Sequence, residues 1–224
     1  ELIGAAEPQA DVDVIALGAD ILAALGGADG VKLEINSLGD PASRSRHRDA
    51  LVAYLTPLAE RLSADSRDRL ERNPLRILDS KDEGDRLVLD GAPRLGGFLN
   101  ETSARYFDEV RRGLDRLSVA YTVNPRLVRG FDYYTHTAFE FVTDRLGAQG
   151  TVIGGGRYAG LVKQMGGPAT PATGWAGGVE RLAMMIEAPK RAARAIAIVP
   201  IGEVAAETAL VLAHRLRNNG FVVE

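Results

Sequence analysis

An α+β fold is predicted for this chain from three observations. Apolar and polar residues alternate over 31–36, a helix-period stretch precedes that alternation, and a long helical, arginine-richer segment separates it from the next strand-like runs. Over residues 11–25, Val14, Leu17, Ile21 and Leu25 recur at spacings of three and four, one face of a helix that Gly26 and Gly27 end. Residues 31–36 have the period of a half-buried strand, and 37–40 supply the turn after it. Asp40 followed by Pro41 starts a second helix, because a carboxylate caps free N–H groups and proline tolerates the first helical position. Leu51, Leu55, Leu58 and Leu62 form its inner face, with Arg44 and Arg48 one turn apart on the other. From about 40 to 120 the pattern stays helical, broken at Asn73-Pro74, 91–93 and Gly96-Gly97, and reads as an inserted subdomain.

Residues 137–143 and 151–153 are the next strands, the second running into three glycines. Val179, Leu182, Met185 and Ile186 predict a buried helix over 179–186. A short basic linker over 189–194 leads to a strand at 195–199, a helix over 203–218 and a strand at 220–223, the opening of a second, α/β domain. Both ends read as cut, since the chain starts at Glu1 and stops inside a strand.

Composition narrows the function classes only from outside. With 224 residues, 46% hydrophobic and 25% charged, the chain can bury a substantial core. The formal charge of −3 argues against coating nucleic acid by bulk electrostatics. The absence of cysteine removes disulfides, thiolate nucleophiles and cysteine-bound zinc. No apolar run approaches the roughly 20 residues a membrane span needs, so no membrane partner and a cytoplasmic location are expected.

Three stretches carry chemistry. In Leu127-Val128-Arg129-Gly130-Phe131-Asp132-Tyr133-Tyr134-Thr135, a permanent cation and paired phenols can face a small polar ligand, and an ordinary ion-paired arginine beside packed tyrosines fits equally. Gly154-Gly155-Gly156-Arg157-Tyr158 follows a strand, where glycine admits a ligand or another backbone, and a plain tight turn fits as well. It matches neither the phosphate-binding P-loop nor the dinucleotide-binding glycine pattern. In Gly174-Trp175-Ala176-Gly177-Gly178-Val179-Glu180-Arg181-Leu182, an arginine at a helix start behind small residues suits a phosphate, or simply a glycine-rich turn with a surface arginine.

Taken in this order and spacing, the three stretches resemble the histidyl-tRNA synthetase family: its L-V-R-G-x-D-Y-Y-T and G-G-G-R-Y signatures and the class II motif 3, G-x-E-R-L. Glu1-Leu2-Ile3-Gly4 resembles the family's E-x-x-G after motif 2. Asn36-Ser37-Leu38-Gly39 and the run from Asn73 to Lys81 resemble its insertion subdomain. The resemblance covers essentially the whole chain. It implies a class II antiparallel sheet with helices over 1–190, a helical insertion at about 40–120, and the beginning of an anticodon-binding domain over 194–224. It also implies ATP as substrate with Mg²⁺ on its phosphates, histidine and tRNA(His) as partners, no protein-held metal, and a homodimer.

Residue by residue, Arg129 matches the arginine against the α-phosphate, where a cation that cannot lose its proton stabilises the transition state. Glu1, Tyr133, Tyr134 and Tyr158 match positions lining the amino-acid pocket. Arg181 matches the arginine on the γ-phosphate, and Gly155, Gly156 and Gly178 give close backbone approach. Two features depart from the pattern. Ala159 stands where the family has aspartate, and motifs 1 and 2 lie outside these residues, so the piece alone is expected to be inactive. Alternatives of other classes are the histidine-sensing regulatory subunit of ATP phosphoribosyltransferase, which shares the fold, and a tRNA-binding fragment without catalysis. Retention of Arg129, of the insertion and of the second domain's start favours the ligase.

Overall fold

The first six residues already couple distant parts of the chain. In the computed structural model, which describes residues 1–27, 29–128, 133–147, 150–186 and 194–224, β1 (Leu2–Ile3) pairs antiparallel with the last strand of the sheet. Pro8 then opens α1 (Pro8–Ala24), where its missing N–H costs nothing. The buried stripe of α1 runs through Asp11, Val12, Val14, Ile15, Gly18 and Leu22. This corrects the predicted face: Leu17 and Leu25 point to solvent, because α1 is covered on two sides, by the sheet and by a second helix.

β2 (Val31–Ser37) follows as expected, Leu33 and Ile35 facing α1. Next come α2 (Pro41–Leu55), capped by the Asp40 carboxylate accepting from the Ser43 amide at 2.7 Å, α3 (Ala64–Arg72) and α4 (Glu83–Leu89), joined by short 3-10 turns. These helices bury a core of their own, with Leu51, Leu55, Leu62, Ile77, Val88 and Leu89. α5 (Glu101–Arg116) does not belong to that core. Its Val110 and Leu114 pack with Val12, Ile15 and Phe139 behind the sheet, so the helical stretch expected as one insertion over about 40–120 divides in its packing near residue 100.

β3 (Thr122–Val123) pairs parallel with β2, and β4 (Thr135–Thr143), β5 (Thr151–Arg157) and β6 (Ala172–Gly177) complete a sheet of order β1-β6-β5-β4-β2-β3. Every other pairing is antiparallel, so the edge strand β3 is the departure from the expected antiparallel sheet. The three glycines expected after β5 lie within it, which makes this strand longer than the sequence suggests. Between β5 and β6 runs the single turn α6 (Leu161–Gln164).

α7 (Val179–Met185) corrects a second expectation. Only Met185 is buried, while Val179 and Met184 are exposed, since the helix covers the end of the sheet with one side of a short segment. The chain divides into two compact units, Glu1–Ile186 and Glu187–Glu224. The second contains α8 (Glu203–Asn218), the predicted helix, and where strands were predicted at 195–199 and 220–223 a single parallel bridge between Ile196 and Val223; the linker over 189–193 lies outside the described residues. No helix among the described residues is long and apolar enough to cross a membrane.

Candidate active site

Odd-numbered residues of β4 and β5 face the helices, so the even-numbered ones face away from them: Ala138 and Glu140 on one strand, Gly154 and Gly156 on the next. With no side chains at the glycines, this face of the sheet is hollow. Tyr134 and Tyr158 stand over it, packed in one cluster with Ala138, Ala172, Leu38, Leu95 and Leu99. The resulting cavity, about 330 Å³, is lined by Glu1, Tyr133, Tyr134, Gly154, Tyr158 and Leu161 together with 174–176 of β6. That volume suits an amino acid better than a nucleotide, being near the lower bound of small-molecule sites.

Three aromatic rings meet there at angles rather than in parallel. The centroids of Tyr133 and Tyr134 are 4.8 Å apart, those of Tyr133 and Tyr158 5.9 Å and those of Tyr134 and Tyr158 6.3 Å, the last two edge to face. Tyr134 and Tyr158 are almost fully buried. Glu1 brings a carboxylate against Gly174, where an added methyl would sit 2.9 Å from its carboxyl carbon. A carboxylate and phenols around a small hollow can hold a cationic ammonium and a polar heteroaromatic ring.

The floor explains its composition. A methyl on Gly156 would fall 2.6 Å from the Thr137 carbonyl oxygen and 2.9 Å from the Tyr134 ring; one on Gly155, directed to the helix side, would collide with the Gly174 carbonyl oxygen. Gly156 therefore admits the Tyr134 ring, and Gly155 admits the neighbouring strand.

Behind the floor lies a buried polar cluster that sequence reasoning missed. Arg157, 2% exposed, pairs with Asp11 at 2.9 Å and donates to the carbonyls of Ala5 at 2.8 Å and Glu7 at 3.1 Å. Asp11 also accepts from the Thr137 hydroxyl at 2.6 Å and from the Tyr106 hydroxyl at 3.1 Å. Burial, and then the Asp11 charge, push the Tyr106 phenol far up, so it remains a neutral donor. The Tyr106 ring stacks on His136 at 4.7 Å. His136 has φ of 50°, and the β4–β5 register shifts between Thr135 and Ala138, so a bulge here turns Tyr134 into the hollow. Burial holds the His136 imidazole below its usual range, the Asp11 charge opposing it. One signal for this cluster was present: Asp11 lies in helical phase with Val14, Ile15, Gly18 and Leu22, a carboxylate on an apolar stripe.

Arg44 and Arg48 are expected together on the face of α2 opposite its leucines. Arg44 donates to the Tyr134 carbonyl at 2.8 Å and Arg46 to the Phe98 carbonyl at 2.8 Å, while Arg48 pairs with Asp49 at 3.6 Å. The insertion thus grips the backbone of a pocket residue.

Glu1, Tyr133, Tyr134 and Tyr158 are accordingly brought together over Gly154 and Gly156. Arg181 and Gly178 are not among the residues lining this hollow. Arg181 donates to the Thr151 carbonyl and the Gly178 amide to the Val152 carbonyl at 3.0 Å, at the end of β5 remote from Tyr158. Arg129 lies outside the described residues.

Comparison with known proteins gives one consistent result. The family profile described as histidyl-tRNA synthetase matches residues 1–182. A histidine–tRNA ligase of Gluconacetobacter diazotrophicus is 56% identical over the whole chain, which spans 54% of that relative's length. Among solved structures, apo histidyl-tRNA synthetase of S. aureus superposes with a TM-score of 0.73 at 38% identity, over 99% of this chain and 55% of that one. A protein of Bacillus halodurans, described as an ATP phosphoribosyltransferase regulatory subunit/histidyl-tRNA synthetase, matches at a TM-score of 0.61 and 21% identity, over 99% and 60% of the two chains, a likeness of fold alone. The chain thus spans about half the length of the relatives it matches.

Proposed function

Since the chain belongs to the histidyl-tRNA synthetase family, we propose that it carries the amino-acid pocket of a histidine–tRNA ligase. The observation that supports this most directly is the convergence of Glu1, Tyr133, Tyr134 and Tyr158 on a hollow of amino-acid size. In the intact protein the histidine carboxylate attacks the α-phosphorus of ATP, the bond to the β-phosphate oxygen breaks, and histidyl-adenylate and pyrophosphate form. The 3′ hydroxyl of tRNA(His) then displaces AMP.

Glu1 and the phenols hold the ammonium and imidazole of histidine, and a polar pocket rejects side chains that leave its groups unpaired. Arg129 neutralises charge on the α-phosphate during attack. Arg181 is assigned to the γ-phosphate and Gly178 to close backbone approach, Arg181 exchanging its hold on the Thr151 carbonyl for phosphate oxygens when ATP binds. Mg²⁺ arrives with ATP as part of the substrate; among the described residues no group of three or more histidine or acidic side chains could hold a resident ion. The second unit is assigned to the start of an anticodon-binding domain, and the intact protein acts as a cytoplasmic homodimer.

The deciding experiment is histidine-dependent ATP–pyrophosphate exchange by the intact protein. Arg129→Ala is expected to lower kcat on the order of 10²-fold with little change in histidine affinity. Tyr158→Phe is expected to raise the KM for histidine. Absence of exchange in the unsubstituted protein overturns the reading, and a loss confined to KM in Arg129→Ala removes its catalytic role.

A further inference from the structure

The pocket residues come from separate places in the chain: Glu1 ahead of β1, Tyr134 at the mouth of β4, Tyr158 just past β5. Strand pairing sets β1, β6, β5 and β4 side by side, and ring contacts link Tyr134 to Tyr158. Behind the sheet, one group reaches the segments next to all three. The Arg157 guanidinium binds the carbonyls of Ala5 and Glu7, in the segment that leaves β1, while its own backbone precedes Tyr158. Its carboxylate partner, Asp11, accepts from Thr137, three residues beyond Tyr134, and from Tyr106 on α5. All three walls are therefore tied to a single ion pair, Asp11 being 0% exposed.

We propose that Arg157 and Asp11 are positioning residues of the amino-acid pocket, setting the spacing of Glu1, Tyr134 and Tyr158 without touching the ligand. This rests on the reading of the hollow as the histidine site. A surface ion pair would hold its partners weakly, but a buried one that also engages two backbone carbonyls and two hydroxyls has a narrow range of geometries. Changes of its shape travel to the pocket because β5 is inextensible and the Gly156 floor leaves the Tyr134 ring no slack.

Because Asp11→Ala strands a buried guanidinium and can prevent folding, the test uses mild substitutions. Thr137→Val and Tyr106→Phe each remove one donor to Asp11 and keep side-chain volume; Arg157→Lys keeps the charge but loses the fork. All are made in the intact protein. Expected is a rise of about tenfold in the KM for histidine for Arg157→Lys and a smaller rise for the other two, with the KM for ATP unchanged, within the ~10²-fold that misplacement by an ångström can cost. A ligand-independent arm measures amide hydrogen exchange, expected to speed up in peptides covering 133–138 and 154–158 but not in those covering α2 to α4. An unchanged histidine KM with an unchanged exchange pattern overturns the proposal, as does loss of activity that follows only the unfolded fraction. If the unsubstituted protein fails to use histidine, the pocket reading falls, and the exchange arm still decides whether the pair positions these strands.

Discussion

At Gly156 an added methyl would press on the Thr137 carbonyl oxygen and the Tyr134 ring, whereas at Gly97 it would meet nothing within 4 Å. Gly156→Ala is therefore expected to cost about 1–3 kcal/mol and to raise the histidine KM, and Gly97→Ala to stay within about 0.5 kcal/mol of the starting protein. Urea midpoints at constant slope measure both, and equal effects at the two positions would refute the packing account. Residues whose type states their chemistry, such as the paired tyrosines, were legible in the sequence. Those whose meaning depends on what they face were not: Arg44 on the Tyr134 carbonyl, and Gly155 turned to the helix side, are set by tertiary packing.

At the scale of elements, the insertion turns on Asp85. This fully buried carboxylate accepts from the Ser63 amide and from the hydroxyls of Ser63, Ser66 and Ser80, at 2.5 to 2.8 Å, tying α3, α4 and the turn between them. Burial alone would raise its pKa, but the hydroxyls and amide outweigh burial and hold it at about 2. Asp85→Ala leaves these donors without their acceptor and is expected to cost upward of about 2 kcal/mol, with faster amide exchange confined to 63–90. A uniform change across the chain would show that the hub is not local. The element pattern was largely readable: the Asp40 cap, the β2 alternation and the closing helix α8 follow from local chemistry. The phase of α1, the exposure of α7 and the length of β5 were not, because each depends on how many neighbours cover the element, which periodicity does not encode.

For the whole molecule the buried imidazoles set the response to acid. Burial depresses both His47 and His136, the hydrogen bond to Pro93 opposing it at His47 and the Asp11 charge at His136. The unfolded chain takes up these protons near pH ~6.5 while the native state excludes them, so stability is full above that pH and falls as pH drops below it. Asp85 adds a second loss, beginning near the unfolded carboxylate value of ~3.9 and completing as pH passes through about 2. Urea midpoints should thus be lower at pH 5 than at pH 7.5, and His47→Gln should flatten that segment of the profile without altering the loss below pH 4. A midpoint unchanged from pH 7.5 to 5 would contradict the assignment.

The pairing of Leu2 with Thr173 carries a consequence for biosynthesis. Glu1 is made before the other described strands that line the hollow, and among the described residues its strand pairs with β6, the last strand of this sheet in chain order. At ~5–20 residues per second, roughly ten seconds or more pass before that neighbour emerges, and until then the segment ahead of α1 lacks this pairing. The nascent chain can assemble α2, α3 and α4 on local contacts during this interval, but the hollow that Glu1 shares with β6 is not yet closed. Completion of that hollow is thereby postponed until translation has passed β6.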